Sequence, residues 1–420
     1  MPSAMRFLPS SVIDGEINAV SSKSMMQRAV GAALLSSGQT CIERPTYCDD
    51  ARAAIRVAET LGARILERSA SRLTMIGGLK PNGSELTCGE SGLCLRMFTP
   101  IAALCSREMI LRASGSLQRR PLSMVMEPLH SLGAECFCDG FPPLTVRGPL
   151  RGGLAAVDGS LSSQFLTGLL FALPLARTDS LLEVANLQSK PYIAMTLEML
   201  SGFGIVVDNQ EYRVFRVPGG QTYRGGSYAV EGDWSAAAFL LVAGAMAGRV
   251  RMRGLRADSQ QGDRLILNAL EACGAGVCWE DAGTLTVSRG GLRSFSFDAT
   301  DCPDLFPPLA VLACACSGRT IIRGAGRLRH KESSRGQVLK SQLGALGANI
   351  SVQGDEMIIQ GGGLRGGTVD PHNDHRIAMA AALASLLAKE EVTVSNPDCV
   401  NKSYPEFFVH FKTLGGGGHE

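Results

Sequence analysis

The chain has little charge imbalance, few aromatic residues and no long apolar stretch, and each shortage removes a class of function. The formal net charge is +2 over 420 residues, so no global basic field points to nucleic acid and any anion site must be local. The longest apolar run, Ile377 to Ala388, falls short of the roughly 18 residues a membrane-spanning helix needs. Met1 to Ser10 lacks a charged segment followed by a sustained apolar stretch, so no signal peptide and a cytoplasmic location are expected. No C-x-x-C, H-E-x-x-H or clustered His/Asp pattern suggests a metal site, and no G-x-x-x-x-G-K-S/T loop supports nucleotide hydrolysis. The 13 cysteines are odd in number and scattered, closest at Cys136/Cys138 and Cys314/Cys316, and read as buried reduced thiols.

What is present is enough apolar material for packed cores, 45% of the chain, spread over a length that suggests two or three domains. Glycine stands at 49 residues, which fits many tight turns between short strands and helices. Several of these glycines recur at one spacing. Gly62, Gly133, Gly204, Gly274, Gly347 and, more weakly, Gly415 are separated by 71, 71, 70, 73 and 68 residues, each after a helix-like stretch. Glycine there fits a helix C-cap with positive φ. The closing run Gly415–Gly418 reads as a frayed tail.

Helix starts keep the same period. Lys23, Gly92, Ser163, Asp233, Asp304 and His375 are separated by 69, 71, 70, 71 and 71 residues. A second register runs through Asp50, Arg120, Lys190, Gln261, Lys331 and Lys402, with steps of 70, 70, 71, 70 and 71. Each unit is therefore a small α/β module with two helices and intervening strands such as Leu144–Arg147, Tyr228–Val230 and Met357–Ile359. Six modules make two pseudo-symmetric domains of three, with a break at Glu231-Gly232-Asp233. Helix N-termini carry partial positive charge and unsatisfied N–H groups, so several aimed at one place would bind a multiply charged anion.

The residues at those starts carry the right chemistry. Ser24 and Arg28 share a helix face with Lys23 at its mouth, suiting carboxylate and phosphate. Ser162-Ser163-Gln164 and Ser189-Lys190-Pro191-Tyr192 read as capped starts able to cradle phosphate, and Arg119-Arg120-Pro121 as a start with two guanidiniums. Lys331 and Arg335 are spaced i,i+4 with Glu332 between them. Asn373-Asp374-His375-Arg376 and Asn401-Lys402-Ser403-Tyr404-Pro405 complete the set. Glu332 and Asp304 do not help bind an anion, which makes them candidates for proton transfer. His375 reads equally as a structural imidazole.

In this order and spacing, these motifs resemble the 3-phosphoshikimate 1-carboxyvinyltransferase (EPSP synthase) family of enolpyruvyl transferases along essentially the whole chain. The matching residues are Ser22-Lys23-Ser24 with Arg28, Arg120-Pro121, Asp158-Gly159-Ser160, Ser162-Ser163-Gln164-Phe165, Ser189-Lys190-Pro191-Tyr192 and Glu231-Gly232-Asp233. Pro303-Asp304, Lys331-Glu332 with Arg335, Asn373-Asp374-His375-Arg376 and Lys402 continue the match. The resemblance implies an α/β fold of two pseudo-threefold domains, each of three βαβαββ-type repeats, inside-out and barrel-like. They would be residues 21–232, and residues 1–20 with 233–420, closing around a cleft at two chain crossings near Val20 and Asp233.

It also implies roles. Shikimate 3-phosphate would be held by Lys23, Ser24, Arg28, Ser162, Ser163, Gln164, Ser189, Tyr192, Asp304 and Lys331. Phosphoenolpyruvate would be held by Lys23, Gly92, Arg120, Gln164, Arg335, Arg376 and Lys402. Glu332 would protonate the methylene carbon, Asp304 and Lys23 would handle the hydroxyl proton and the leaving phosphate, and His375 joins them as a catalytic candidate. No cofactor, metal, nucleic acid or membrane is implied, and a monomer is expected.

Two departures bear on ligand affinity. The family's usual Asn-Ala-Gly-Thr is Glu90-Ser91-Gly92-Leu93 here, and Arg327 stands where Asn is usual. With Leu93 and Met97 on one helix face, weaker inhibition by glyphosate is expected than in relatives with the usual stretch. Two alternatives are a catalytically impaired paralogue that binds a phosphorylated metabolite, and UDP-N-acetylglucosamine 1-carboxyvinyltransferase. The latter normally has a Cys in the loop that reads Ala113 to Arg120 here.

Overall fold

The third repeat displays the module most plainly. Strand Gly153–Asp158, helix Ser163–Ala172, strand Ser180–Ala185, helix Lys190–Gly202 and strands Asp208–Gln210 and Val214–Val217 follow in the order βαβαββ. The first helix begins where Ser162 turns its hydroxyl onto the Gln164 N–H at 3.1 Å, satisfying one of the orphan donors. Strand Ser180–Ala185 alternates buried and exposed residues, so the sheet has one face on the core and one toward water. The structure, a computed structural model, describes residues 4–9, 11–329 and 331–418; of the N-terminal stretch, Met1–Ser3 and Ser10 lie outside the described residues.

Among the described residues the strands form five four-stranded sheets and one three-stranded sheet. Each sheet has one parallel pair, as in Gly153–Asp158 on Ser180–Ala185, followed by antiparallel neighbours. Among the described residues every sheet is open, with three or four short strands. Chain packing divides the molecule into Ser21–Glu231 and into Met1–Val20 with Gly232–Glu420. In the latter unit, Ala4–Phe7 pairs antiparallel with Val392–Ser395, and Ile13–Asn18 pairs parallel with Gly248–Arg253, so the N-terminal strands complete its sheets.

The six spaced glycines all take positive φ: 118° at Gly62, 86° at Gly133, 78° at Gly204, 90° at Gly274, 93° at Gly347 and 101° at Gly415. Side chains with a Cβ resist that conformation, which is why glycine recurs there. The Gly415–Gly418 run is not frayed. Gly416 N–H donates to Phe411 O at 2.9 Å and Gly417 N–H to Ser11 Oγ at 3.0 Å, docking the run on its own unit.

The first helix of each repeat is buried around most of its circumference, as its composition demands. In one unit Trp234–Ala247, Phe306–Ala315 and His375–Ser385 pack on one another. In the other, Gly92–Ala102 lies against both Lys23–Leu35 and Ser163–Ala172. The latter crossing is close: a Cβ on Gly168 would stand 2.6 Å from Met97 O. No helix among the described residues is long and apolar enough to cross a membrane. Of the cysteines, Cys41 and Cys138 are half-buried, Cys278 is exposed and the other ten are buried; none is paired.

The second register differs from expectation. Asp50 and Lys190 do lie in first helical turns, within Asp49–Thr60 and Lys190–Gly202. Arg120 instead closes the 3-10 turn Gly115–Arg119 in an extended conformation, because Pro121 excludes the helical region for the residue before it. Lys331 lies in a bend ahead of helix Arg335–Ala345, so Lys331 and Arg335 do not share a helix face. Lys402 ends the 3-10 turn Pro397–Lys402, ahead of helix Phe407–Thr413.

Candidate active site

The turns nevertheless bring the two registers together inside four of the repeats. Lys23 Nζ donates to Asp50 Oδ2 at 2.9 Å, and 27 residues separate them. Asp304 and Lys331 are separated by the same 27 residues and meet at 3.0 Å with the charges exchanged. In the second repeat, a Cβ on Gly92 would stand 3.1 Å from Arg120 Nη1. In the fourth, Gln261 accepts from Trp234 N–H at 3.1 Å and donates to Gly232 O at 2.7 Å. The repeat therefore builds one locus several times and varies its chemistry.

In the unit containing Gly232–Glu420 the locus is densely charged. Arg335 is fully buried and sits at its centre. Its Nε donates to Asp374 Oδ2 at 2.9 Å, its Nη1 to Asp304 Oδ1 at 2.8 Å, and its Nη2 to Asp374 Oδ1 at 3.2 Å and to Glu332 Oε2. Arg376 Nη2 stands 3.1 Å from Asp304 Oδ2, and Lys402 Nζ 3.9 Å from Glu332 Oε1. His375 opens helix His375–Ser385 and is buried. Asp374, absent from the sequence-based site, caps that helix through the Arg376 N–H at 3.1 Å and accepts from Ser333 Oγ at 3.0 Å.

Burial alone would push the Asp304 carboxyl up, but Arg376, Lys331 and Arg335 together hold it well below the usual range. Burial lowers Lys331, with Asp304 opposing. Arg335 is likewise penalised by burial, yet Asp374, Glu332 and Asp304 raise it. A second residue outside the expected set, Asp263, is buried near the same charges. Burial, then the proximity of Asp304, pushes its carboxyl up to about 6. Buried ion clusters of this kind rarely add stability over apolar packing, so their presence points to chemistry.

The other unit, Ser21–Glu231, carries donors and cations. Lys23 and Ser24 open helix Lys23–Leu35 and are half-buried. Arg28 is buried, donating to Thr196 Oγ1 at 3.0 Å, Ser24 O at 2.9 Å and Tyr192 O at 3.0 Å; burial lowers it to about 10. The expected face shared by Ser24 and Arg28 exists, but the bond there uses the Ser24 carbonyl. Ser163 and Ser189 are buried, the latter at φ 59°, while Ser162 and Tyr192 are half-buried at their helix starts. Gly92, Arg120 and Gln164 converge, with a Gly92 Cβ standing 3.3 Å from Gln164 Oε1. The convergence includes Arg96, which the sequence reading missed.

The two departures are local. Glu90 is half-buried with its carboxylate against Gly115 and accepts from Ser116 Oγ at 3.5 Å. Arg327 lies half-buried in the 3-10 turn Ala325–Leu328.

Residues 8–411 match the sequence profile of a family described as EPSP synthase (3-phosphoshikimate 1-carboxyvinyltransferase). A 3-phosphoshikimate 1-carboxyvinyltransferase of Clostridium botulinum is 39% identical over 419 residues, covering 97% of this chain and 96% of the relative. One from Clostridium perfringens is 38% identical, with 97% of each chain covered. Among solved structures, an EPSP synthase from Acinetobacter baumannii superposes with a TM-score of 0.84 at 24% identity over 99% of both chains. The enolpyruvyl transferase NikO from Streptomyces tendae reaches 0.80 at 16% identity over 99% of this chain and 98% of its own. Those two structural likenesses speak to the fold alone.

Proposed function

The chain belongs to the EPSP synthase family, whose enzymes transfer the carboxyvinyl group of phosphoenolpyruvate to shikimate 3-phosphate in aromatic amino acid biosynthesis, and we propose how its own side chains divide that reaction. The observation that carries the reading is the bonding of two carboxylates of different role, Asp304 and Glu332, to one buried guanidinium, Arg335, among Lys331, Arg376 and Lys402.

Shikimate 3-phosphate is held through its phosphate by Ser162, Ser163 and Ser189, with Lys331 contributing charge, and through its carboxylate by Ser24 and Arg28. Tyr192 and Gln164 border both ligands. The phosphoenolpyruvate phosphate is assigned to Lys23, Arg120 and Lys402 with the Gly92 backbone as a further contact, and its carboxylate to Arg335 and Arg376. The 5-hydroxyl oxygen then adds to C2 of phosphoenolpyruvate while Glu332 gives its proton to C3, Asp304 accepts the hydroxyl proton, and the Lys23 ammonium serves the leaving phosphate. In the second step C3 returns a proton to Glu332, the C2–O bond to phosphate breaks, and the hydroxyl proton leaves with the phosphate. Cations placed beforehand around the charge-dense intermediate stabilise it electrostatically, the effect that usually lowers an enzymatic barrier most. His375 stands next to Arg376 at the start of the same helix, His375–Ser385, as a further catalytic candidate.

The donor carboxylate has a further effect. Each guanidinium it engages is withdrawn from Asp304, whose carboxyl becomes more basic once phosphoenolpyruvate is bound. The base is thus tuned by the substrate it serves. The reaction needs only side chains, and a cytoplasmic setting is supported by the unpaired thiols. Mass spectrometry of the acceptor after incubation with both substrates tests the reading. The enolpyruvyl ether of shikimate 3-phosphate is expected; an unmodified acceptor, or transfer to UDP-N-acetylglucosamine instead, would overturn it.

A further inference from the structure

Arg96 lies one turn into helix Gly92–Ala102, between Leu95 and Met97, in a helix buried along its whole length. It is itself only 6% exposed. Its Nη1 donates to Gln164 Oε1 at 2.9 Å, and its Nη2 to Pro121 O at 3.4 Å. One guanidinium therefore joins the start of the Ser163–Ala172 helix to the turn that follows Arg120. All three side chains meet the bare face of Gly92, where an added Cβ would stand 3.0 Å from Arg96 Nη1, 3.1 Å from Arg120 Nη1 and 3.3 Å from Gln164 Oε1.

A guanidinium has donors and no acceptor. The group of Gln164 that faces Arg96 must therefore be its carbonyl oxygen, and the amide orientation follows from the partner's chemistry. With the oxygen turned to Arg96, the amide NH2 is turned away from it and is left as the group Gln164 can offer a ligand. Without Arg96 the amide is free to rotate by half a turn and present an oxygen to an anion, exchanging a hydrogen bond for repulsion.

We infer that Arg96 is a positioning residue for the donor substrate: it locks Gln164 as a hydrogen-bond donor beside Gly92 and Arg120, and so selects an anionic ligand there. The inference rests on the proposed binding of phosphoenolpyruvate by Gln164 and Arg120. A lysine at this position would keep the charge but reach only one of the two acceptors, because the fork geometry is lost.

The test is a double-mutant cycle in steady-state kinetics, with Arg96→Gln, Gln164→Ala and the pair, and with Arg96→Lys as the conservative variant. Melting temperature and shikimate 3-phosphate affinity are measured for each. Arg96→Gln is expected to raise KM for phosphoenolpyruvate by about tenfold or more, the loss typical of a hydrogen bond involving a charged group. Shikimate 3-phosphate affinity, to which Gln164 also contributes, should fall less than that for phosphoenolpyruvate, and Arg96→Lys should recover part of the loss. In the Gln164→Ala background the Arg96 substitution should have little further effect, because its target is already gone. Equal effects in both backgrounds, or an unchanged KM in both Arg96 variants, would overturn the inference. Should Arg96→Gln not fold, Arg96→Lys in the two backgrounds gives the same comparison. A wild-type enzyme that turns over neither substrate would instead overturn the underlying reading, and this inference with it.

Discussion

Asp374→Asn should destabilise the protein by about 3–5 kcal/mol, the range for removing one partner from a buried ion pair. Asp374 and Arg335 are both fully buried at the side chain. Asp374 Oδ2 accepts from Arg335 Nε at 2.9 Å and Ser333 Oγ at 3.0 Å, and Oδ1 accepts from Arg335 Nη2 at 3.2 Å and the Arg376 N–H at 3.1 Å. Arg335 thus donates to both oxygens, and neither orientation of an asparagine amide avoids turning its NH2 onto a guanidinium N–H. The isosteric change therefore loses a charge and creates a donor–donor clash, with no rotamer to escape it. Ser333→Ala is the control, since it removes one hydroxyl from the same carboxylate at a cost of about 0.5–1.5 kcal/mol. Urea or thermal unfolding measures both, and a drop in Tm on the order of 10 °C is expected for Asp374→Asn. The misplaced Arg335 should also raise KM for phosphoenolpyruvate. A loss of stability below about 1 kcal/mol, comparable to that of the serine control, would refute the reasoning.

Glu332→Gln should lower kcat by about 10²–10⁴-fold while leaving shikimate 3-phosphate affinity nearly intact, because its proton is needed only in the reaction; turnover near the parent rate would remove Glu332 from the role. Ser163→Ala should weaken shikimate 3-phosphate binding by about 1.5–3 kcal/mol, measured by calorimetry, with unchanged affinity as the contrary result. Asp263, pushed up by burial to about 6, holds its extra proton in the native state above its unfolded value near 3.8, so its contribution to stability falls as pH rises from that value toward 6. Asp263→Asn should therefore gain on the wild type across this window, and a Tm difference flat with pH would count against it. Leu93→Thr should lower the ratio of the glyphosate inhibition constant to KM for phosphoenolpyruvate, because a bulkier side chain at a packed helix start costs about 1–3 kcal/mol. Leu93 alone is the cleaner substitution, since Met97 is fully buried and its Cε would lie 3.3 Å from a Cβ on Gly31; a ratio that does not fall would dismiss the steric argument.

Local rules made the repeat readable. A helix that ends in a left-handed residue needs glycine, and the six spaced glycines, Gly62 to Gly415, all adopt it. Helix starts at Lys23, Gly92, Ser163 and His375 followed from polar caps ahead of apolar runs. The second register was legible as spacing but not as conformation: Arg120 obeys Pro121, and Lys331 belongs to a bend. The missed residues share one physical reason. Arg96, Asp263 and Asp374 sit among apolar neighbours or beside a more conspicuous charge, and their importance depends on partners distant in sequence, 68 residues for Arg96–Gln164 and 39 for Arg335–Asp374. A buried charge cannot be read from its own neighbourhood, because only the fold decides what it faces. The 27-residue step that joins Lys23 to Asp50 and Asp304 to Lys331 was the available signal, since both registers were already in view.

Phosphate release is the most direct test of the central claim, that this chain carries out carboxyvinyl transfer with Glu332 as its acid. The purified protein, treated with chelator, is assayed with phosphoenolpyruvate alone, shikimate 3-phosphate alone, and both. Release should require both substrates, be unchanged by the chelator, and fall by about 10²-fold or more in Glu332→Gln. No release with both substrates, or activity lost on chelation and restored by a divalent ion, would contradict it.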